Sequence, residues 1–134
     1  MDFHTLCIGC RTYRRFKQKQ IPEKVLDELL ENARIANSAM NRQPLRYVLV
    51  KNPEVVRKIQ PCFHFAAALP KELGQPKEGE QPTAFIILCT EGPETPWTGI
   101  DIGIAVRTMN LNAYIYGIGS CIIGNVEFKK VKEI

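Results

Sequence analysis

A chain of 134 residues that is 45% hydrophobic and 24% charged has the composition of one ordinary globular domain, which excludes fibrous and intrinsically disordered classes. No apolar run approaches the roughly 18 to 20 residues of a membrane span. The opening Met1-Asp2-Phe3-His4-Thr5 lacks the basic start and apolar core of a secretory signal, so a cytoplasmic protein with no membrane partner is expected. The net charge of +4 is local: Arg11, Arg14, Arg15, Lys17 and Lys19 place five cations and no anion within nine residues, while elsewhere thirteen basic residues face fourteen acidic ones. Such a cluster points to an anion-binding segment more than to a broadly basic surface that coats nucleic acid. A solvated basic helix end gives the same charge pattern. Five scattered cysteines, an odd number, argue against a secreted disulfide framework and for reduced thiols.

Along the chain, Phe3, Leu6, Cys7 and Cys10 recur at helical spacing, which predicts a first helix whose polar continuation carries the basic cluster. Ile21-Pro22 starts a second helix with an apolar stripe of Val25, Leu26, Leu29, Leu30 and Ala33. Asn37 to Pro44 is a polar break, and residues 46–51 are a β-branched strand. Asn52-Pro53-Glu54 caps a third short helix that Pro61 ends. Residues 70–82, with three prolines and two glycines, are expected to be loop. Thr83 to Thr90 is a continuous apolar run of the kind that forms a strand covered on both faces. Residues 100–116 are apolar on nearly every side, so this helix must be buried all round, and a chain this small calls for a partner subunit to cover it. On that expectation Ala105 lies at the subunit boundary, where a glutamate would break the dimer. After Gly117-Ile118-Gly119, Ser120 to Gly124 is short and extended, and Val126 to Ile134 begins another amphipathic helix. Helices alternating with strands predict an α/β or α+β domain over residues 1–134, with no internal repeat.

Spacing sets several chemistries aside. Gly117, Gly119 and Gly124 do not make a dinucleotide-binding fingerprint, and there is neither a phosphate-binding glycine loop nor a serine-nucleophile elbow. His4, Cys7 and Cys10 stand at successive i, i+3 positions. No fourth ligand lies nearby, and the cysteines share the stripe of Phe3 and Leu6, so they read as core and no metal is expected. Cys7-Ile8-Gly9-Cys10 does not follow a strand as a thioredoxin-like pair should, and His64 reads as a packed histidine.

Three segments remain. Arg11-Thr12-Tyr13-Arg14-Arg15-Phe16, with Ile21-Pro22 downstream, resembles the nitroreductase opening motif R-S-x-R-x-F. Ser38-Ala39-Met40-Asn41-Arg42-Gln43-Pro44 is similar to that family's P-S-A-x-N-x-Q-P-W loop. Asp101-Ile102-Gly103-Ile104-Ala105, followed by Gly117 to Gly124, resembles its D-x-G-I-A helix and G-L-G-S-C-x-I-G turn. All three stand in family order across almost the whole chain.

The resemblance implies a three-layer domain with a central mixed sheet flanked by helices, FMN as cofactor, and a homodimer with the flavin at the interface. It implies an NAD(P)H oxidoreductase that reduces a nitroaromatic, quinone or flavin by a ping-pong mechanism. By resemblance Arg11, Thr12, Tyr13, Arg14, Ser38, Ala39, Asn41, Gln43, Ile123 and Gly124 bind the cofactor. Arg11 and Thr12 hold the phosphate, and Arg14 is the catalytic cation at the flavin N1 and C2 carbonyl edge. Part of the loop from Ser38 serves the flavin bound mainly by the partner. Tyr13 and Phe16 also suit simple packing. Three departures stand out: Cys10 replaces a first arginine, so one phosphate contact falls away or passes to Arg15; Asn37 replaces a proline; Leu45 replaces a tryptophan. The family continues through another strand and a basic residue that helps bind FMN, which implies a domain short at its C-terminal end. A flavin-binding protein or inactive fragment without turnover is the alternative. A nucleic-acid patch around Tyr13 and Phe16 is the remaining one, and the resemblance argues against it.

Overall fold

Asp2 accepts a hydrogen bond from the Thr5 backbone N–H at 3.0 Å and so starts helix α1, Phe3–Gly9. The computed structural model describes residues 1–134. Helix α1 does not continue into the basic cluster as the periodicity predicts. Gly9 is pressed so closely against the Tyr114 ring that a Cβ there would collide with it, and the backbone is extended from Cys10 onward. Arg11, Arg14 and Arg15 would also stand at i, i+3 and i+4 of a continued helix, where like charges repel. The segment pairs instead as extended chain: Thr12 bridges Ser120 in parallel, Tyr13 N–H donates to Ser120 O at 3.0 Å, and Phe16 N–H donates to Glu80 O at 2.9 Å. Phe3, expected in the core, is 70% exposed, whereas Leu6 and Cys10 are buried and Cys7 is half-buried.

Helix α2, Glu23–Arg34, has Pro22 as its N-cap, Glu23 in the first turn and Arg34 in the last, so both charges suit the helix dipole. Its stripe of Leu26, Leu29 and Ala33 meets Ala105, Met109 and Ala113 of helix α5, Thr98–Ile115. Alanines on both sides of the crossing let the helices approach closely. A polar ladder flanks the contact: Asn32 Nδ2 donates to Asn112 Oδ1, Asn112 Nδ2 donates to Glu28 Oε1, and the Tyr116 hydroxyl donates to Glu28 Oε2 at 2.6 Å.

Strands β1, Leu45–Val50, and β2, Phe85–Thr90, pair antiparallel from Leu45↔Thr90 to Val50↔Phe85. Alternation divides their side chains between two cores. Leu45, Tyr47, Leu49, Ile86 and Leu88 pack on α2 and α5. On the other face, Val50, Phe85 and Ile87 pack on Val56 and Ile59 of helix α3, Pro53–Ile59, and on Cys62, Phe63 and Phe65, with Phe63 and Phe85 stacked at 4.4 Å. Each fully buried Leu or Phe contributes about 1.5 to 3 kcal/mol. Strand β2 is thus covered on both faces, and the result is a mixed α/β, three-layer arrangement. The ladder itself is antiparallel; the parallel component of the expected mixed sheet is the Thr12–Ser120 bridge.

Two further helices are short. Helix α4, Lys71–Gly74, interrupts the stretch expected to be loop, and α6 spans Phe128–Glu133. The chain before α6 is fastened by His64 N–H to Asn125 O and Glu127 N–H to Cys62 O, and His64 Nε2 lies 3.0 Å from Glu127 Oε1. All five cysteines are free, and no helix is long and apolar enough to cross a membrane.

A single chain covers only part of α5. One face is covered by α2, yet Ile100 is 53% and Ile115 59% exposed, and Gly103, Ile104 and Arg107 also face outward. Ala105 is 2% exposed inside the α2–α5 core, so a glutamate there would break the domain itself and not a subunit boundary. The outward apolar face is carried by Ile100 and Ile104.

Candidate functional site

The extended strip from Arg11 to Arg14 runs beside Ser120–Gly124, so two of the three motif segments meet. Backbone pairing through Ser120 leaves the strip's side chains free. Arg11 and Thr12 are exposed, and Arg11 forms no ion pair. The Tyr13 ring lies on Gly119, where a Cβ would fall 2.8 Å from Tyr13 Cγ; its position is fixed by packing. Arg14 is half-buried, and its Nε is buried with no hydrogen-bond partner. An orphaned guanidinium donor of this kind is costly unless an acceptor meets it. Burial pushes the nearby Cys121 thiol upward in pKa, and the Arg14 cation offsets part of that effect. Ile123 packs toward the second core, while Gly124 is exposed with no heavy atom within 4 Å of its Cβ position, so a planar group has open access to the backbone there.

Arg15 is not free to replace a phosphate contact. Its Nη1 donates to Arg14 O at 2.9 Å, its Nη2 donates to Glu72 O and Leu73 O at 3.2 Å, and its Nε lies 2.9 Å from Glu80 Oε2. Nor does the buried Cys10 thiol face a ligand: it donates to Asn110 O at 3.4 Å and lies 3.5 Å from Arg107 Nη1.

The remaining segment, the loop from Ser38, meets the other end of the Asp101–Gly124 motif, at Asp101. The loop turns through a short 3₁₀ segment, Ala39–Asn41, with Met40, Asn41 and Gln43 at φ 53°, 51° and 50°. Three non-glycine residues in the left-handed region within four positions store backbone strain of about 1 to 3 kcal/mol each, which needs compensation. Compensation comes from Ser38 Oγ, which accepts from Gln43 N–H at 2.9 Å, and from Asp101 Oδ1, which accepts from Ala39 N–H at 2.9 Å. Asp101 is 4% exposed in the first turn of α5 and lines two clefts, of about 280 and 310 Å³, on either side of the loop. Gln43 lines both and Ala39 the smaller one, whereas Arg11 to Arg14 and Ser120 to Gly124 line neither. Loop and strip therefore attach to different parts of α5, at Asp101 and near Asn110, separated by about 14 Å at 1.5 Å per residue. Sequence reasoning named Asp101 only as a motif residue and Arg15 only as a substitute phosphate contact; their roles as anchors of the loop and of α4 come from distant partners. A single carboxylate inside an otherwise apolar helix was the available signal for the first; nothing local marks the second.

The family model described as "Nitroreductase family" matches residues 9–134. A "Putative NADH dehydrogenase/NAD(P)H nitroreductase" of Methanothermobacter thermautotrophicus is 28% identical over 113 residues, 82% of this chain and 54% of that protein; the chain spans about half the length of that relative. Among solved structures, a nitroreductase family protein of Clostridium novyi NT superposes with a TM-score of 0.78 at 20% identity, covering 99% of this chain and 75% of its own. Oxidized iodotyrosine deiodinase, solved with FMN and 3-iodo-L-tyrosine bound, gives 0.76 at 21% identity, covering 97% and 78%. These likenesses establish a shared fold.

Proposed function

The chain belongs to the nitroreductase family, and from that premise we propose that residues 1–134 act as one FMN-binding domain of a homodimeric, cytoplasmic NAD(P)H oxidoreductase. The observation that carries this reading is the buried, partnerless Nε of Arg14, near Cys121 on the segment whose backbone is open at Gly124. Residues of these types fit FMN: an arginine and a hydroxyl for a phosphate dianion, a fixed cation for the polar edge, and bare backbone against a flat ring. The chemistry supplied by bound FMN is ping-pong electron transfer from NAD(P)H to an electron-poor acceptor such as a nitroaromatic, a quinone or a flavin.

Arg11 and Thr12, exposed and unpaired, bind the phosphate end. Arg14 donates its free N–H groups to the N1 and C2 carbonyl edge. Already in place, its charge is worth most when negative charge develops there. Ile123 and Gly124 lie against the ring, and the Tyr13 backbone anchors the strip. Ser38, Ala39, Asn41 and Gln43 serve the partner's cofactor, because within one chain the loop attaches to α5 at Asp101 while Cys10, at the start of the strip, attaches at Asn110. Pairing two chains through the outward face of Ile100 and Ile104 covers apolar surface that one chain leaves in water.

The test is to purify the protein, measure its mass by light scattering, denature it and identify the released flavin. FMN from a dimer is expected. Mainly FAD, or an FMN-loaded monomer, would overturn the proposal.

A further inference from the structure

Arg15 occupies an unspecified position of the opening motif, yet it is the most heavily bonded cation in the molecule. One side chain reaches the Arg14 carbonyl, the Glu72 and Leu73 carbonyls at the end of α4, and the Glu80 carboxylate. Around it the same two segments are stitched by Phe16 N–H to Glu80 O, Gln18 Nε2 to Gln81 O at 2.8 Å, and Thr83 Oγ1 to Lys19 O. No lysine reproduces this set, since it needs a planar fork aimed at three carbonyls at once. The bond to Arg14 O bears on the backbone that directs the Arg14 side chain. Glu80 neutralises Arg15, so the free positive charge at this point of the strip belongs to Arg14 alone.

We propose that Arg15 is a positioning residue that couples the cofactor strip to residues 70–80: it fixes Arg14 for FMN, and FMN in turn orders the α4 segment. The inference rests on the FMN reading above. Coupling of this kind is reciprocal, so whatever the segment does for FMN affinity, FMN must do for the segment.

Hydrogen–deuterium exchange provides the readout, because the amides of Leu73, Gly74, Gln75 and Glu80 are hydrogen-bonded within the segment. In the FMN-free chain, Arg15→Gln is expected to speed exchange of these amides selectively, leaving the α3 amides unchanged. With FMN, the wild type should show added protection over residues 71–80, and Arg15→Gln should lose most of it while its Kd for FMN rises about tenfold. Arg15→Lys keeps the ion pair with Glu80 but not the fork, and should resemble Arg15→Gln in exchange. Equal loosening everywhere in FMN-free Arg15→Gln, or undiminished FMN protection in that variant, overturns the proposal. A folded wild-type dimer that binds no FMN overturns the proposed function instead; the FMN-free exchange pattern then still decides whether Arg15 holds the segment.

Discussion

The strip at Arg11–Arg14 and the loop at Ser38–Gln43 resemble parts of one cofactor site, yet they are held in opposite ways. The strip is fixed by its backbone, through Ser120, and presents side chains. The loop is fixed by side chains, Ser38 and the buried Asp101, and bends its backbone into left-handed geometry. A segment whose main chain is already paired can spend its cations on a ligand. In the loop Ser38 alone spends its side chain on the strained turn, and the exposed side chains of Asn41, Arg42 and Gln43 make no hydrogen bond. The contrast lies in what holds each segment, backbone pairing for the strip and a strained turn tied to Asp101 for the loop, and it fixes where each is vulnerable.

The most drastic way to break the comparison is to stop the two halves from meeting. Ile104→Glu places a carboxylate on the outward face of α5 without entering the α2–α5 core, and an unpaired charge at an apolar interface costs about 3 to 5 kcal/mol. Light scattering should report a folded monomer, with FMN lost in the same step. A dimer that persists would move the interface elsewhere. The next effect is confined to the strip. Arg14→Ala should slow flavin reduction about a hundredfold in stopped-flow measurements while weakening FMN binding less. Because the substitution also deletes a buried donor without a partner, the FMN-free protein should melt no earlier than wild type.

The loop should respond in the reverse sense. Asp101→Ala leaves Ala39 N–H without its acceptor and is expected to cost about 1 to 3 kcal/mol in urea unfolding even without cofactor, with Asp101→Asn milder. If Arg14→Ala destabilises the FMN-free chain as much as Asp101→Ala does, the division of labour is wrong. The smallest effect concerns the far end of α5. The Tyr116 hydroxyl, then Asn112, hold the Glu28 carboxyl below its ordinary pKa. A depressed carboxyl contributes stability that is present above its unfolded pKa, roughly 4.3, and is lost as pH falls through the lower folded value. Tyr116→Phe should raise the Glu28 pKa in an NMR titration and flatten this acid limb, leaving the Asp101 end untouched.

The sequence displayed whatever is written locally and periodically. Leu26, Leu29 and Ala33 announced α2, Asn52-Pro53 announced α3, and the run to Thr90 announced a strand covered on both sides. Motif order likewise carried the family. What escaped were contacts between distant positions. Nothing near Arg11 says that Tyr114 blocks Gly9 and ends α1, or that Ser120 draws the basic segment into extended pairing. Composition marked α5 as apolar all round, but not which of its faces α2 covers, so Ala105 was placed at a boundary and lies in the core instead. Arg15 stood as a possible substitute phosphate contact until Glu72, Leu73 and Glu80 were found around it.

The pairing that fixes the strip also has a timetable. Cys10 and its acceptor Asn110 are 100 residues apart, and the Thr12–Ser120 bridge closes beyond that, whereas Ala39 waits only 62 residues for Asp101. At ribosomal rates of roughly 5 to 20 residues per second, the cations emerge about 5 to 20 seconds before the chain that holds them in place. The loop can be tethered while the strip is still unpaired. On the FMN reading, loading waits until Ser120 has emerged, and a nascent chain stalled before that point would carry the cations proposed to bind phosphate with no frame on which to use them.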